Sequence, residues 1–283
     1  MKIKEAQEVM ELMLDEAGLG GGRDVPELMA FGLGKERLLD TQQSLNEGEL
    51  QTLHDLVRRR IDREPLQYII GEWDFYGETF SVGEGVLIPR SDTETLVEKC
   101  IKDNADKTDI TVIDLCAGSG CIGLTLEKNL SAKCVIEVEK SAEAFEYLKE
   151  NKEKHNSDAE LILGDIFDEE VIKALPQADV ITCNPPYLSK ADFMPGTLQP
   201  ELEFEPFEAL YGGDDGLDFY ARIARAYKPL LKKDGRIYLE IGFSQEQEVM
   251  KAFIQNGYTN VRKHRDLGGV YRVITADISE QYA

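Results

Sequence analysis

The chain has 283 residues, of which 42% are apolar and 30% charged, with a formal net charge of −22. That length is long for one domain and comfortable for two, and the apolar share fills a sizeable core. The negative balance disfavours binding nucleic acid through its phosphates and favours a basic protein partner.

No apolar run approaches a membrane span. The segment MKIKEAQEVMELMLDEAG alternates charged and apolar residues helically, without the apolar centre of a signal peptide, so the expected location is the cytoplasm. Cys100, Cys116, Cys121, Cys134 and Cys183 contain no C-x-x-C pair and read as small buried thiols rather than metal ligands. No metal is expected.

The first 72 residues read as a small helical domain. Lys4 to Leu19 has helical periodicity and stops at Gly18-Leu19-Gly20-Gly21-Gly22, after which Asp24 reads as an N-cap with Pro26 in the first turn. Ser44 and Glu47 fit a capping box ahead of a stripe formed by Leu50, Leu53, Leu56, Val57 and Ile61. Pro65 opens a short helix that ends at Gly71. The basic cluster Arg58, Arg59, Arg60 and Arg63 reads as a helix end opposing the dipole, with contact to an RNA-bearing partner as the sharper alternative.

Residues 73–88, with alternating aromatic and β-branched residues around Gly77 and Gly83-Glu84-Gly85, read as a β-hairpin linking two domains. Residues 89–283 are α/β. Ser91 and Glu94 fit a capping box for a helix through Ile101. Strands follow at ITVIDL, KCVIEVE, ELILGD, ADVITCN and RIYLEIG, separated by helices, among them an amphipathic one over 217–233 stopped by Asp234-Gly235. Strands alternating with helices require a parallel sheet with right-handed crossovers. The closing pair YTNVRKHR and VYRVITADI, joined by Gly268-Gly269, predicts an antiparallel hairpin at one edge. The fold class is therefore a doubly wound sheet with a reversed last strand.

Three strand ends carry candidate site residues. The loop Cys116-Ala117-Gly118-Ser119-Gly120, preceded by Asp114-Leu115, follows a strand and opens a helix, where glycine lets backbone approach a ligand. Glu139 ends the next strand, placed to accept both hydroxyls of a ribose. Together they indicate an adenosine-containing cofactor. The dinucleotide oxidoreductase alternative stays open at this loop, since Gly118, Gly120 and Gly123 match G-x-G-x-x-G formally. Asp165 can accept from an adenine amino group and Ile166 can pack on its ring, or Asp165 simply caps a turn.

Asn184-Pro185-Pro186-Tyr187 follows the fourth strand. Prolines end the strand ladder and leave the Pro185 carbonyl without a ladder donor. With the Asn184 side-chain oxygen it offers two acceptors for the two hydrogens of a planar NH2 group, and Tyr187 adds an aromatic wall. These features suit a site that holds a planar NH2 group. They do not choose between an amide and the exocyclic amine of a flipped-out base.

The order of glycine loop, acidic strand end and NPPY resembles the class I S-adenosylmethionine-dependent N-methyltransferases, Rossmann-like folds whose seven-stranded sheet has a reversed last strand. The longer match is to the protein-(glutamine-N5) methyltransferases that modify peptide chain release factors. It rests on EPLQYIIGEWDFYGETFSV, LIPRSDTETLVE, IDLCAGSGCIGL, NPPY and FEPFEALYGGDDGLDFY, which cover residues 64–220 almost continuously. The sequence departs from that family at Cys116-Ala117, where relatives often have Gly-Thr, and at Glu139, where Asp is commoner.

The resemblance implies methyl transfer from S-adenosylmethionine, giving S-adenosylhomocysteine, to the glutamine of a Gly-Gly-Gln segment in class 1 release factors. It implies cofactor contacts from Cys116, Ala117, Gly118, Ser119, Gly120, Glu139, Asp165, Ile166 and Asn184. It implies catalysis by Asn184 and Pro185, and substrate contacts from Asn184, Pro185, Pro186 and Tyr187. Glu205 and Glu208 are expected to hold the loop after NPPY, and Pro89 and Arg90 to line the approach. A monomer whose helical domain grips the partner, with no nucleic acid or membrane contact, is expected. A ribosomal-protein glutamine and a nucleic-acid adenine are the alternative substrates. A non-catalytic binding module is the reading from a different class.

Overall fold

The computed structural model describes residues 1–278, which divide into two compact units. One contains residues 1–73 together with 199–204, and the other contains 74–198 and 205–278.

The first unit is helical: α1 (Ile3–Glu16), α2 (Gly21–Leu33), α3 (Glu47–Ile61) and α4 (Leu66–Ile70). Its core is formed by Ile3, Met10 and Leu14 of α1, Val25, Leu28 and Met29 of α2, and Leu53, Leu56 and Val57 of α3. Helix α2 starts three residues before the expected cap. Asp15, from the preceding helix, accepts the Gly21 N–H at 2.7 Å, so the first turn is capped before Asp24 is reached. A Cβ at Gly21 would lie 2.4 Å from the Glu11 carbonyl oxygen, which explains the glycine at this corner. The α3 capping box is Asn46–Glu49 rather than Ser44–Glu47. Asn46 Oδ1 accepts the Glu49 N–H at 2.9 Å and Glu49 Oε2 accepts the Asn46 N–H at 2.8 Å. Both pairs share one spacing, and the later pair abuts the apolar stripe.

Three of the four arginines of the basic cluster are engaged within this unit, while Arg58 is exposed. Arg60, 8% exposed, donates to Asp24 at 2.7 Å and to Glu201 at 3.2 Å. Arg59 donates to Glu64 at 2.8 Å, and Arg63 to the Ala17 carbonyl at 2.9 Å.

Strands β1 (Glu72–Phe75) and β2 (Glu78–Ser81) form a two-stranded sheet turning at Tyr76-Gly77. The 3₁₀ turn Ser91–Thr93 leads into α5 (Glu94–Asn104). The expected Ser91–Glu94 box is absent because the Glu94 carboxylate accepts the Tyr76 N–H at 2.9 Å.

The α/β core runs β3 (Thr108–Leu115), α6 (Cys121–Asn129), β4 (Ser131–Glu139), α7 (Ala142–Lys154), β5 (Glu160–Leu163), α8 (Glu169–Ala174), β6 (Ala178–Cys183), α9 (Phe207–Leu210), α10 (Asp218–Ala226), β7 (Leu231–Glu240), α11 (Glu246–Gln255), β8 (Thr259–Arg265) and β9 (Tyr271–Asp277). The seven-stranded sheet has the order β5-β4-β3-β6-β7-β9-β8. β3 to β7 pair in parallel, and β9 runs antiparallel to both β7 and β8. Alternate strand residues feed two buried clusters: Ile113 and Leu115 belong to one, Ile110 and Val112 to the other. This is the class I methyltransferase fold. The closing hairpin lies at the sheet edge as expected, but its second strand sits inside, between β7 and β8.

The expected helix over 217–233 is shorter. It ends at Ala226, and Pro229, which has no N–H to donate, stands in a 3₁₀ turn over Lys228–Leu230. Leu231 already pairs with Ala178. Asp234-Gly235 is a bulge in β7 rather than a helix stop, with Asp234 at φ 63° and the register skipping from Leu231 to Arg236. No helix among the described residues is long and apolar enough to cross a membrane.

Candidate active site

Strand order reverses at β3, because β4 and β5 lie on one side and β6 and β7 on the other. The crevice beyond the carboxyl ends of β3 and β6 is where doubly wound sheets bind ligands. A cavity of about 530 Å³ opens there. Cys116, Ala117, Gly118 and Ser119 line it after β3, Glu139 at the end of β4, Asp165 and Ile166 after β5, and Asn184 and Pro186 after β6. Pro89, Arg90 and Glu208 line it too. Gly120, Pro185 and Tyr187 are outside the lining. Gly120 caps α6 at φ 80°, where a Cβ would meet Leu148 Cδ1 at 2.5 Å. Pro185 is buried and Tyr187 half-buried.

The loop after β3 depends on left-handed backbone. Cys116 and Gly118 both have φ 58°. Glu139 stands across this loop, one oxygen accepting the Gly118 N–H at 2.7 Å and the other the Ser141 N–H at 2.7 Å. Burial pushes its carboxyl up, opposed by the Ser141 and Gly118 bonds. Each oxygen keeps a lone pair for a further donor. Ser119 Oγ is buried without a partner, a polar atom left for a ligand.

Asp165 is already in a turn, with Oδ1 accepting the Phe167 N–H at 2.9 Å and Oδ2 pairing with Lys140 at 2.9 Å. Burial alone would raise this carboxyl. The Lys140 and Phe167 contacts outweigh it and hold the group below its ordinary value. Ile166 is fixed through its carbonyl, which accepts from the Tyr227 hydroxyl at 3.0 Å.

Backbone from later in the chain cradles the NPPY segment. A Cβ on Gly212 would lie 2.6 Å from the Pro186 carbonyl oxygen, one on Gly216 2.3 Å from the Tyr187 carbonyl oxygen, and one on Gly242 2.9 Å from the Tyr187 ring. Leu188 exchanges backbone bonds with Leu210 and Gly212 at 2.8 Å each. Gln245 donates to the Tyr187 carbonyl at 2.9 Å. Glu205, in the segment between NPPY and α9, holds that segment down as expected, though not by touching NPPY itself. It clamps the run before α5, accepting the Ile88 N–H at 3.0 Å and pairing with Arg90.

Residues 5–71 match the family model described as the PrmC N-terminal domain, and residues 91–199 match the Methyltransferase small domain. The release factor glutamine methyltransferase of Thermodesulfovibrio yellowstonii is 38% identical over 260 residues, spanning 89% of this chain and 91% of that one. The same-named protein of Geobacter sulfurreducens is 37% identical over 266 residues, spanning 92% and 91%. The chain belongs to the release factor glutamine methyltransferase family. A methyltransferase crystal structure from Pyrococcus furiosus, 18% identical, superposes with a TM-score of 0.54 over 72% of this chain and 91% of that one, and shares the fold.

Within this candidate site, two residues escaped the sequence reading. Thr93 and Glu240 stand behind Asn184. Asn184 Nδ2 donates to Thr93 Oγ1 at 3.3 Å, and Thr93 Oγ1 donates to Glu240 Oε2 at 2.5 Å. The signal for Glu240 was available, as a carboxylate closing the buried run Ile237-Tyr238-Leu239 at the end of its strand. Thr93 lay in the LIPRSDTETLVE stretch, where Pro89, Arg90, Ser91 and Glu94 carried expected roles and Thr93 none. Among the described residues no group of three or more His, Cys, Asp or Glu side chains is arranged to hold a metal.

Proposed function

We propose that this chain transfers a methyl group from S-adenosylmethionine to the side-chain amide nitrogen (N5) of a glutamine in class 1 peptide chain release factors, within a Gly-Gly-Gln segment. The observation that carries this reading is the family membership, which spans nearly the whole chain. The cavity supports it. Its volume of about 530 Å³ suits a small-molecule cofactor, and it offers the unpartnered Ser119 hydroxyl and the free lone pairs of Glu139.

In this reading the loop Cys116–Gly120 and Asn184 would hold the cofactor through backbone and amide contacts, Glu139 its ribose hydroxyls, and Asp165 and Ile166 its adenine. When bound, S-adenosylmethionine supplies an electrophilic methyl on a sulfonium. The protein's task is to present a poor nucleophile, since the amide lone pair is delocalised. Asn184 Oδ1 and the Pro185 carbonyl accept the two amide hydrogens, which orients the nitrogen and stabilises the positive charge that develops on it. Pro186 and Tyr187 wall the substrate. The N-methylated amide is then a strong acid and gives up its extra proton to water, so no general base is needed at the motif.

The helical segment 1–72 grips the body of the release factor, residues 73–88 link it to the catalytic portion 89–283, and the enzyme works as a cytoplasmic monomer. The charge of −22 and the engagement of Arg59, Arg60 and Arg63 within the helical unit weigh against a nucleic-acid substrate. The test is mass spectrometry of purified release factor after incubation with enzyme and S-adenosylmethionine. A gain of one CH2 on the Gly-Gly-Gln glutamine is expected. No gain there, with methylation of a ribosomal protein or of adenine in nucleic acid instead, overturns the reading.

A further inference from the structure

The direction of the hydrogen bonds behind Asn184 follows from counting protons. Thr93 Oγ1 carries one hydrogen and stands 2.5 Å from Glu240 Oε2 and 3.3 Å from Asn184 Nδ2. Thr93 is 2% exposed and Glu240 1%, so bulk water does not compete for these bonds. An ionised carboxylate can only accept, so it takes the Thr93 hydrogen. Thr93 Oγ1 is left with lone pairs alone, and the Asn184 group that can donate to them is its NH2. The amide therefore stands with Nδ2 toward Thr93 and Oδ1 turned away from it, at the residue that lines the cavity. A protonated Glu240 reverses the chain. It donates to Thr93, whose hydrogen then goes to Asn184 Oδ1, and the amide presents a donor where the substrate NH2 needs an acceptor.

We infer that Thr93 and Glu240 are positioning residues that fix which way round the Asn184 amide stands, so that its oxygen faces the substrate nitrogen. This rests on the proposed reaction, in which Asn184 accepts a substrate N–H. The side-chain amide lacks the asymmetry to choose its own orientation, because its oxygen and nitrogen are nearly the same size. The choice is made one bond behind it, by an anion that accepts and a hydroxyl that passes the polarity on.

Burial pushes the Glu240 carboxyl up to about 7, opposed by the Thr93 bond. The groups facing Glu240 are Arg90 and Asp92 before α5, Arg272 on β9, Tyr187 after NPPY, Tyr220 on α10 and Cys121 on α6. Asp92 pairs with Arg272 at 3.1 Å, and burial raises Tyr187, Tyr220 and Cys121 so that they stay neutral. Glu240 is thus the group in this set whose charge changes near neutrality, and the polarity of the chain changes with it.

The test compares release-factor methylation by the wild-type enzyme, Thr93→Val, Thr93→Ser and Glu240→Gln, with S-adenosylhomocysteine affinity measured by calorimetry. Thr93→Val is expected to lower kcat about tenfold or more, a larger effect than its change in product affinity, because the lost group orients an acceptor for the substrate nitrogen. Thr93→Ser restores the hydroxyl and the rate. Wild-type kcat is expected to rise with pH through about 7, the range set by Glu240, and the Glu240→Gln profile to be flat. The substrate amide does not titrate in this range. Wild-type kcat retained by Thr93→Val, Thr93→Ser no better than Thr93→Val, a flat wild-type profile, or the same limb in Glu240→Gln each overturns the inference. If Thr93→Val does not fold, the two pH profiles decide. An inactive wild type overturns the functional reading and this inference with it, whereas an active wild type beside an unimpaired Thr93→Val overturns this inference alone.

Discussion

Asp114 on β3 and Glu137 on β4 are register partners, and both carboxyls are fully buried. Thr182 donates to one Asp114 oxygen at 2.6 Å, while the other Asp114 oxygen and both Glu137 oxygens have no donor. A proton shared by the two carboxyls supplies the missing donor and removes their repulsion. Burial pushes Asp114 up to about 7, and burial together with Asp114 pushes Glu137 well above its ordinary range. The close packing of α6 on this pair explains Gly123, where a Cβ would lie 2.3 Å from Glu137 Oε1.

This pair sets a pH dependence of stability. Its folded-state values lie above the unfolded ones of about 4, so the native state binds more protons than the unfolded chain between about pH 4 and 7. Stability from the pair is therefore greatest at the acidic end of that window and falls as pH rises through it. Tm should drop by roughly several degrees between pH 5 and 8. Glu137→Gln, which brings a donor and no charge, should remove the pair's share of the drop and leave the share that comes from Glu240, whose carboxyl is also pushed up to about 7. Parallel melting curves for the two proteins across that range would sink the shared-proton account.

Asn184→Ala removes one of the two proposed acceptors. Turnover should fall about a hundredfold or more, a larger loss than the fall in S-adenosylhomocysteine affinity that follows from removing the Asn184 amide contact to the cofactor. Single-turnover methylation and calorimetry separate the two effects. Near-normal methylation by the variant removes Asn184 from the mechanism.

Cys116→Gly should stabilise the fold. The φ of 58° at Cys116 is left-handed backbone, which costs a residue with a Cβ about 1–2 kcal/mol. Glycine returns part of that gain, about 0.5–1 kcal/mol, as entropy of the unfolded chain. A small net rise in Tm is expected, with cofactor affinity kept. Cys116→Val should lower both. Thermal melts with and without S-adenosylhomocysteine measure these changes.

Arg60→Ala leaves Asp24 and Glu201 facing a lost partner. The Arg60 side chain is 10% exposed and those of the two acids 15% and 26%, so the pairs are shielded without being fully buried. The loss should be about 2 kcal/mol, below that for breaking a fully buried pair. Residues 199–204 should also become more open to proteolysis, since Glu201 anchors that segment to the helical unit. Limited proteolysis with mass mapping checks this, and an unchanged cleavage pattern counts against the anchor.

Much of the fold was legible because its signals are local. Period-two and helical patterns marked the strands and most helices, and the glycine loop, Glu139, Asp165 and Asn184 were each placed at a strand end. Misreadings came where two local signals competed. Leu230 and Leu231 extended an apolar stripe past Pro229, which the chain obeys as a stop. Ser44–Glu47 and Asn46–Glu49 offer the same capping spacing. The Arg60 contacts and the chain from Asn184 through Thr93 to Glu240 depend on residues brought together by tertiary folding, 141 positions apart for Arg60 and Glu201 and 147 for Thr93 and Glu240. Spacing rules carry no information at that range.

The position of β9 has a consequence for how the molecule is made. During synthesis β7 and β8 emerge first, but neither bonds to the other: each pairs with β9. Until β9 has left the ribosome, β7 presents an open edge and β8 has no sheet to join. Glu240 at the end of β7 pairs directly with Val273 of β9. The orientation of a side chain at position 184 thus waits on a strand translated some ninety codons later, and the nascent chain should acquire its catalytic geometry only as that strand slots home.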